Sequence, residues 1–108
     1  MTARVLVVDD IAPNARLLEA RLLQEYYDVK TVTDSRETVA VARAWQPDVI
    51  LLDVLMPTMS GYEVCNALRE GGATAHIPVV MITGLEKPAE RAKGLRSGAD
   101  EFLTKPVD

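Results

Sequence analysis

Three strongly apolar runs in this chain each end in a residue that such runs normally avoid. Val5-Leu6-Val7-Val8 leads into Asp9-Asp10, Val49-Ile50-Leu51-Leu52 into Asp53, and Val79-Val80-Met81-Ile82 into Thr83. A fourth, shorter run, Phe102-Leu103, leads through Thr104 to Lys105-Pro106. Apolar runs this short read as strands buried on both faces, and such strands are typically parallel. In an open parallel sheet the functional site lies outside the carboxyl ends of the strands. One fold rule therefore gathers three carboxylates, a hydroxyl and an ammonium at one edge of the sheet.

Helix-like segments alternate with these strands, the pattern of an α/β fold. The first helix is expected near Pro13, a good first helical residue, with Ala15, Leu18 and Leu22 on its inner face. A short strand follows near Val29 to Val32. The second helix is expected after Asp34 or Ser35. Asp34 and Glu37 have capping-box spacing, Val39 and Ala42 would face inward, and Gln46-Pro47-Asp48 would stop the helix. Ser60 and Glu63 make a better capping box for a third helix, buried through Val64 and Leu68 and ended by Gly71-Gly72. The fourth helix is expected to begin near Pro88, bury Ala92 and Leu95, and stop at Gly98. A last strand lies near Glu101 to Leu103.

Five strands and four helices, joined by right-handed crossovers, predict a flavodoxin-like doubly wound sheet. Its expected order is 2-1-3-4-5, in three layers. Residues 1–108 read as a single domain that lacks its fifth, C-terminal helix. Part of one sheet face should then lie open. The chain is expected to be a truncated domain or the front of a longer protein.

Bulk properties narrow the function classes. The formal net charge is −4 and no Lys/Arg stripe is present, which argues against direct nucleic-acid binding. No run approaches the ~18 apolar residues of a membrane helix. The start of the chain has no signal-like apolar region. The one cysteine, Cys65, excludes an internal disulfide and fits a reducing compartment. The expected localisation is cytoplasmic.

The clustered residues suggest a particular chemistry. Three acids at strand ends repel one another unless a counter-ion is present. Carboxylate and carbonyl oxygens with retained waters describe a Mg²⁺ site. A carboxylate can also attack phosphorus and form an aspartyl phosphate. That transfer depends mainly on neutralising charge on the transferring oxygens. Lys105 and Mg²⁺ would supply the neutralisation, and Thr83 a hydrogen bond.

Here the residues match a known family. Leu6-Val7-Val8-Asp9-Asp10, Pro47 through Pro57, Ser60-Gly61, Ile77 through Gly84, Gly98-Ala99-Asp100 and Phe102 through Pro106 occur in order and at matching spacing. Together they resemble a response-regulator receiver (CheY-like) domain of two-component signalling over essentially the whole chain. The wording around Glu25-Tyr26-Tyr27 and His76-Ile77-Pro78 is further similar to the first receivers of PleD-type diguanylate cyclase regulators.

The resemblance implies a role for each matching residue. Asp53 would be the phosphoacceptor. Asp10, the Asp53 carboxylate and the Leu55 backbone carbonyl would bind Mg²⁺ directly, with Asp9 acting mostly through water. Thr83 would move toward the phosphoryl group and Lys105 would pair with it. Phe102 stands where the family keeps a switching aromatic that turns inward on activation. The Lys105-Pro106 bond is expected to be cis. Gly84 departs from the family's usual Ala and should still leave space beside the acceptor. The implied donor is a sensor histidine kinase or phosphotransfer protein. The implied outputs are a phosphorylation-dependent homodimer and an effector domain outside this chain. Leu55 and Leu85 flank the acceptor and offer no polar group to position an attacking water. Slow self-dephosphorylation is therefore expected.

Plainer readings exist for single residues. Asp9 or Asp10 alone could cap a helix, Thr83 could be an ordinary strand terminus, and Lys105 a surface lysine. Phe102, Cys65 and Trp45 alone read as packing, His76 as a loop residue, and Tyr26 and Tyr27 as packing at the end of the first helix. An exposed aromatic there could serve a dimer contact. Agreement across five positions favours the combined reading. A Mg²⁺-dependent aspartyl-phosphate phosphohydrolase is the next class, but it usually carries a second Asp where this chain has Leu55. A flavin module would need a Ser/Thr/Gly-rich loop after strand one, where this chain has Asp9-Asp10-Ile11-Ala12. A receiver-like module that never becomes phosphorylated is the last alternative. In the leading reading the chain catalyses only its own phosphorylation and dephosphorylation and turns over no external substrate.

Overall fold

The computed structural model describes residues 2–84 and 88–104. Along the chain run β1 (Arg4–Val8), α1 (Ala12–Gln24), β2 (Asp28–Val32), a 3-10 turn (Ser35–Glu37), α2 (Thr38–Trp45), β3 (Val49–Asp53), α3 (Gly61–Glu70), β4 (Val79–Thr83), α4 (Pro88–Arg96) and β5 (Glu101–Thr104). All neighbouring strands pair in parallel, in the order β2-β1-β3-β4-β5. This is the expected doubly wound sheet. Asp53 and Thr83 are the last residues of β3 and β4, while Asp9 directly follows β1.

Alternation along the strands divides the core in two. Val5, Val7, Val49 and Leu51 point toward α1, where Ala15, Leu18 and Leu22 meet them as the spacing predicts. Leu6, Val8, Ile50, Leu52, Met81 and Phe102 point to the other face, against Ala42, Val64, Cys65 and Leu68. Among the described residues, α1 alone covers the first face. There Val49, Leu51 and Val80 remain half-buried and Leu103 is exposed.

Capping decides where the helices begin. Ser60 accepts from the Glu63 backbone N–H while the Glu63 carboxylate accepts from the Ser60 backbone N–H, completing the predicted box for α3. The box expected at Asp34 and Glu37 does not form. The Asp34 carboxylate instead accepts from the backbone and guanidinium of Arg36. That pairing turns Ser35–Glu37 into a 3-10 turn and delays α2 to Thr38. The α2 stop comes from Gln46, which takes a left-handed conformation at φ 50°.

The fourth helix differs most from expectation. Ala92 and Leu95 are exposed; the buried position is Gly94, and Ser97 is buried just past the helix end. Gly94, and not the apolar stripe, lies against the Phe102 ring. The first helix also ends earlier than its aromatics: Gln24 is its last residue, and Tyr26 follows at φ 66° and 87% exposed, so it does not pack. His76 is an exposed turn residue, and Trp45 packs at the core rim beneath the cations of Arg4 and Lys30.

Two clasps hold α3, one to the loops that lead into β4 and β5 and one to α4. Arg69 on α3 donates to the carbonyls of Gly98, Ala75 and Ile77 and to the Asp100 carboxylate. Asp100 in turn accepts from the Val79 backbone at the start of β4. Tyr62, also on α3, donates to Glu90 at 2.6 Å while Lys93 lies over its ring. The second clasp fixes the first half of α4.

Candidate phosphoacceptor site

The sheet order brings the ends of β1 and β3 side by side, and with them Asp9, Asp10 and Asp53. One carboxylate oxygen from each of the three lies within 4.8 Å of the others. Asp9 and Asp53 are each 7% exposed, and Asp10 is half-buried. Apolar strands on both sides deny these charges much solvent, so their mutual repulsion is poorly screened.

Local backbone contacts fix the cluster. Asp9 donates its N–H to the Val32 carbonyl, and its Oδ1 accepts from the Ile11 N–H at 3.0 Å. Val54, just after Asp53, donates to the Ile82 carbonyl, which anchors the end of β3 to β4. The following loop closes when Gly61 donates back to the Val54 carbonyl at 2.9 Å. Gly61 also presses on Asp53: a Cβ there would stand 2.5 Å from the Asp53 carbonyl oxygen. The motif reading assigned Gly61 no role. A glycine directly after a helix cap is the signal that could have shown it.

Asp10 Oδ1 is buried and has no hydrogen-bond partner among the described residues. A buried carboxylate oxygen in that condition is costly unless a cation or donor meets it. The all-oxygen donor set suits a hard divalent cation. The residues therefore fit a Mg²⁺ ion.

The remaining predicted residues divide by position. Thr83 ends β4, next to β3 in the sheet, and is 1% exposed. Leu55 is 58% exposed just beyond Asp53. Gly84 is exposed, with open space where a Cβ would stand. Phe102 is inward and 3% exposed. Lys105, the Lys105-Pro106 bond and Leu85 lie outside the described residues.

The response regulator receiver domain family model matches residues 5–108. The chain belongs to this family. The receiver is 55% identical to the response regulator PleD of Caulobacter vibrioides over 108 residues, covering all of this chain and 24% of that protein. It is 40% identical over 105 residues to the DNA-binding dual master transcriptional regulator RpaA of Synechocystis, covering 97% of this chain and 44% of that one. The receiver thus spans a quarter to under half of these curated relatives. Among solved structures, the Vibrio cholerae chemotaxis protein CheY4 superposes with a TM-score of 0.94 at 34% identity, covering all of this chain and 90% of that one. A beryllofluoride-activated DrrB receiver domain superposes at 0.85 and 30% identity, covering 100% of this chain and 88% of that one. No helix among the described residues is long and apolar enough to cross a membrane.

Proposed function

We propose that Asp53 accepts a phosphoryl group from a phosphohistidine of a sensor kinase or phosphotransfer protein, and that this chain is the input of a two-component switch. The observation that carries the reading is the cluster of three acids with an orphaned, buried Asp10 oxygen. Asp10, the Asp53 carboxylate and the Leu55 carbonyl would hold Mg²⁺ directly, with Asp9 acting through water. When bound, the ion supplies charge neutralisation for phosphoryl transfer.

The chain's own residues do the rest. The Asp53 carboxylate attacks phosphorus as the bond to the donor nitrogen breaks, leaving the aspartyl phosphate and the free imidazole. Asp9 and Asp10 hold their carboxylates close to the acceptor and set the metal's place. The Thr83 hydroxyl hydrogen-bonds a phosphoryl oxygen, and Lys105 pairs with another. The added phosphoryl group carries about −1.5 to −2 charge. Thr83 and Lys105 gain an acceptor, and the two-state balance of the outer surface shifts.

The receiver works in the cytoplasm as part of a longer regulator, and the shifted surface supports a homodimer or drives an effector domain such as a diguanylate cyclase. It catalyses only its own phosphorylation and dephosphorylation. Beryllofluoride with Mg²⁺ tests the reading. In the presence of Mg²⁺, added beryllofluoride should raise the Tm of the wild type further, and should leave that of Asp53→Asn unmoved. An equal rise in Asp53→Asn would place the acceptor elsewhere.

A further inference from the structure

The fourth helix reaches the sheet without an apolar side chain of its own at the contact. Its buried position is Gly94, with buried Ser97 just past its end, while Ala92 and Leu95 are exposed. The apolar group that fills this interface comes from β5: the Phe102 ring, 3% exposed. A Cβ at position 94 would stand 2.6 Å from Phe102 Cδ2, 2.9 Å from its Cε2 and 3.1 Å from Met81 Sδ. Real Cβ atoms essentially never come under 3.0 Å. The ring occupies this place only because position 94 lacks a side chain.

Neighbouring contacts leave the helix little room to yield. Arg91 donates to the Phe102 carbonyl at 3.2 Å, one turn before the ring contact. Glu90 accepts from Tyr62, and Lys93 covers the Tyr62 ring. Three successive contacts thus register α4 against α3 and β5. Phe102 pairs with Met81 and Thr104 with Thr83 across the β4–β5 ladder. Met81 and Thr83 are two residues apart on one strand, so Thr83 shares its sheet face with the Phe102 ring.

We propose that Gly94 is the seat of Phe102 and sets the balance between its inward and outward positions. It is a positioning residue: it acts on the Thr83 side of the site through the ring. The structure holds the ring in its inward position. An Ala at 94 would expel the ring and loosen α4. Phosphorylation would then have to restore the displaced arrangement. The coupling to phosphorylation rests on the reading of Asp53 as acceptor, whereas the seat itself does not.

Phe102 is the only phenylalanine of the chain, so ring-labelled ¹³C-phenylalanine reports on it alone. In the wild type without beryllofluoride, its signals should be shielded from a soluble paramagnetic chelate. In Gly94→Ala they should become exposed. A ring already exposed in the wild type, or still shielded in Gly94→Ala, would overturn the seat. Stability gives a second readout, because Ala is the better helix former and would ordinarily raise the Tm. The seat predicts a lower Tm for Gly94→Ala and recovery in Gly94→Ala/Phe102→Leu. No recovery in the double variant would count against a clash with the ring.

Beryllofluoride with Mg²⁺ tests the coupling. If the competent arrangement falls to a tenth of molecules, apparent affinity falls roughly tenfold. Unchanged affinity in Gly94→Ala would remove the coupling. If the wild type fails to bind beryllofluoride, the acceptor reading fails and the coupling with it, while the ring measurement still decides the seat.

Discussion

Gly61 stands so tightly against Asp53 that a Cβ at position 61 would meet the Asp53 carbonyl oxygen at 2.5 Å and the Val54 Cα at 2.8 Å. Both are backbone atoms, so relief requires moving the strand end that carries the acid. Gly61→Ala should therefore destabilise the fold by about 1–3 kcal/mol, the range for overpacking. It should also weaken Mg²⁺-dependent labelling of Asp53. Urea unfolding and labelling rates check both effects. A variant with native stability and native labelling would show that α3 does not brace the site.

The acidic cluster makes stability depend on the metal. Mg²⁺ binds the folded site and should raise the Tm with concentration, as any ligand of the native state does. Removing it with a chelator should return the Tm to its base value. In Asp10→Asn the repulsion is eased but a ligand is lost. The metal-free variant should then be at least as stable as the wild type, while its Mg²⁺-induced rise largely disappears. Calorimetry with and without Mg²⁺ reads both outcomes, and a full rise in Asp10→Asn would place the ion elsewhere.

The half-exposed Leu55 side chain predicts a long-lived aspartyl phosphate. It stands two residues past Asp53 and gives an attacking water no hydrogen-bonding partner. Leu55→Asn should shorten the phosphoryl half-life, by up to about a hundredfold, the scale on which positioning of a reactant acts. Phosphoryl decay after removal of the donor measures it, and an equal or longer half-life in the variant would refute the idea.

The Tyr62 phenol is pushed up to about 12, first by burial and then by its bond to Glu90. Its folded value lies above the unfolded one near 10. Tyr62 therefore contributes stability fully present below about pH 10 and lost as pH rises toward 12. Tyr62→Phe should lack this alkaline decline. Unfolding curves across that range compare the two proteins, and identical slopes would show that Tyr62 does not carry the effect.

The sequence made some of this legible for simple reasons. Apolar runs fix where strands end, so Asp9, Asp10, Asp53 and Thr83 could be placed on one sheet edge. Ser60 and Glu63 satisfy each other across one helical turn, so the start of α3 was also readable. Asp34 misled because Arg36, two residues away, takes the carboxylate that Glu37's spacing seemed to reserve. The inner face of α4 misled for a different reason. Periodicity counts apolar side chains, and Gly94 has none. Its role depends on a ring from another strand. Phe102 opposite a helical glycine was visible only once β5 was paired with β4.

The most direct test of the central claim is intact mass after incubation with acetyl phosphate and Mg²⁺, read before the acyl phosphate hydrolyses. The wild type should gain one phosphoryl group, and chelation of Mg²⁺ or Asp53→Asn should abolish the gain. A phosphoryl group still added to folded Asp53→Asn, or none added to the wild type, would contradict the account.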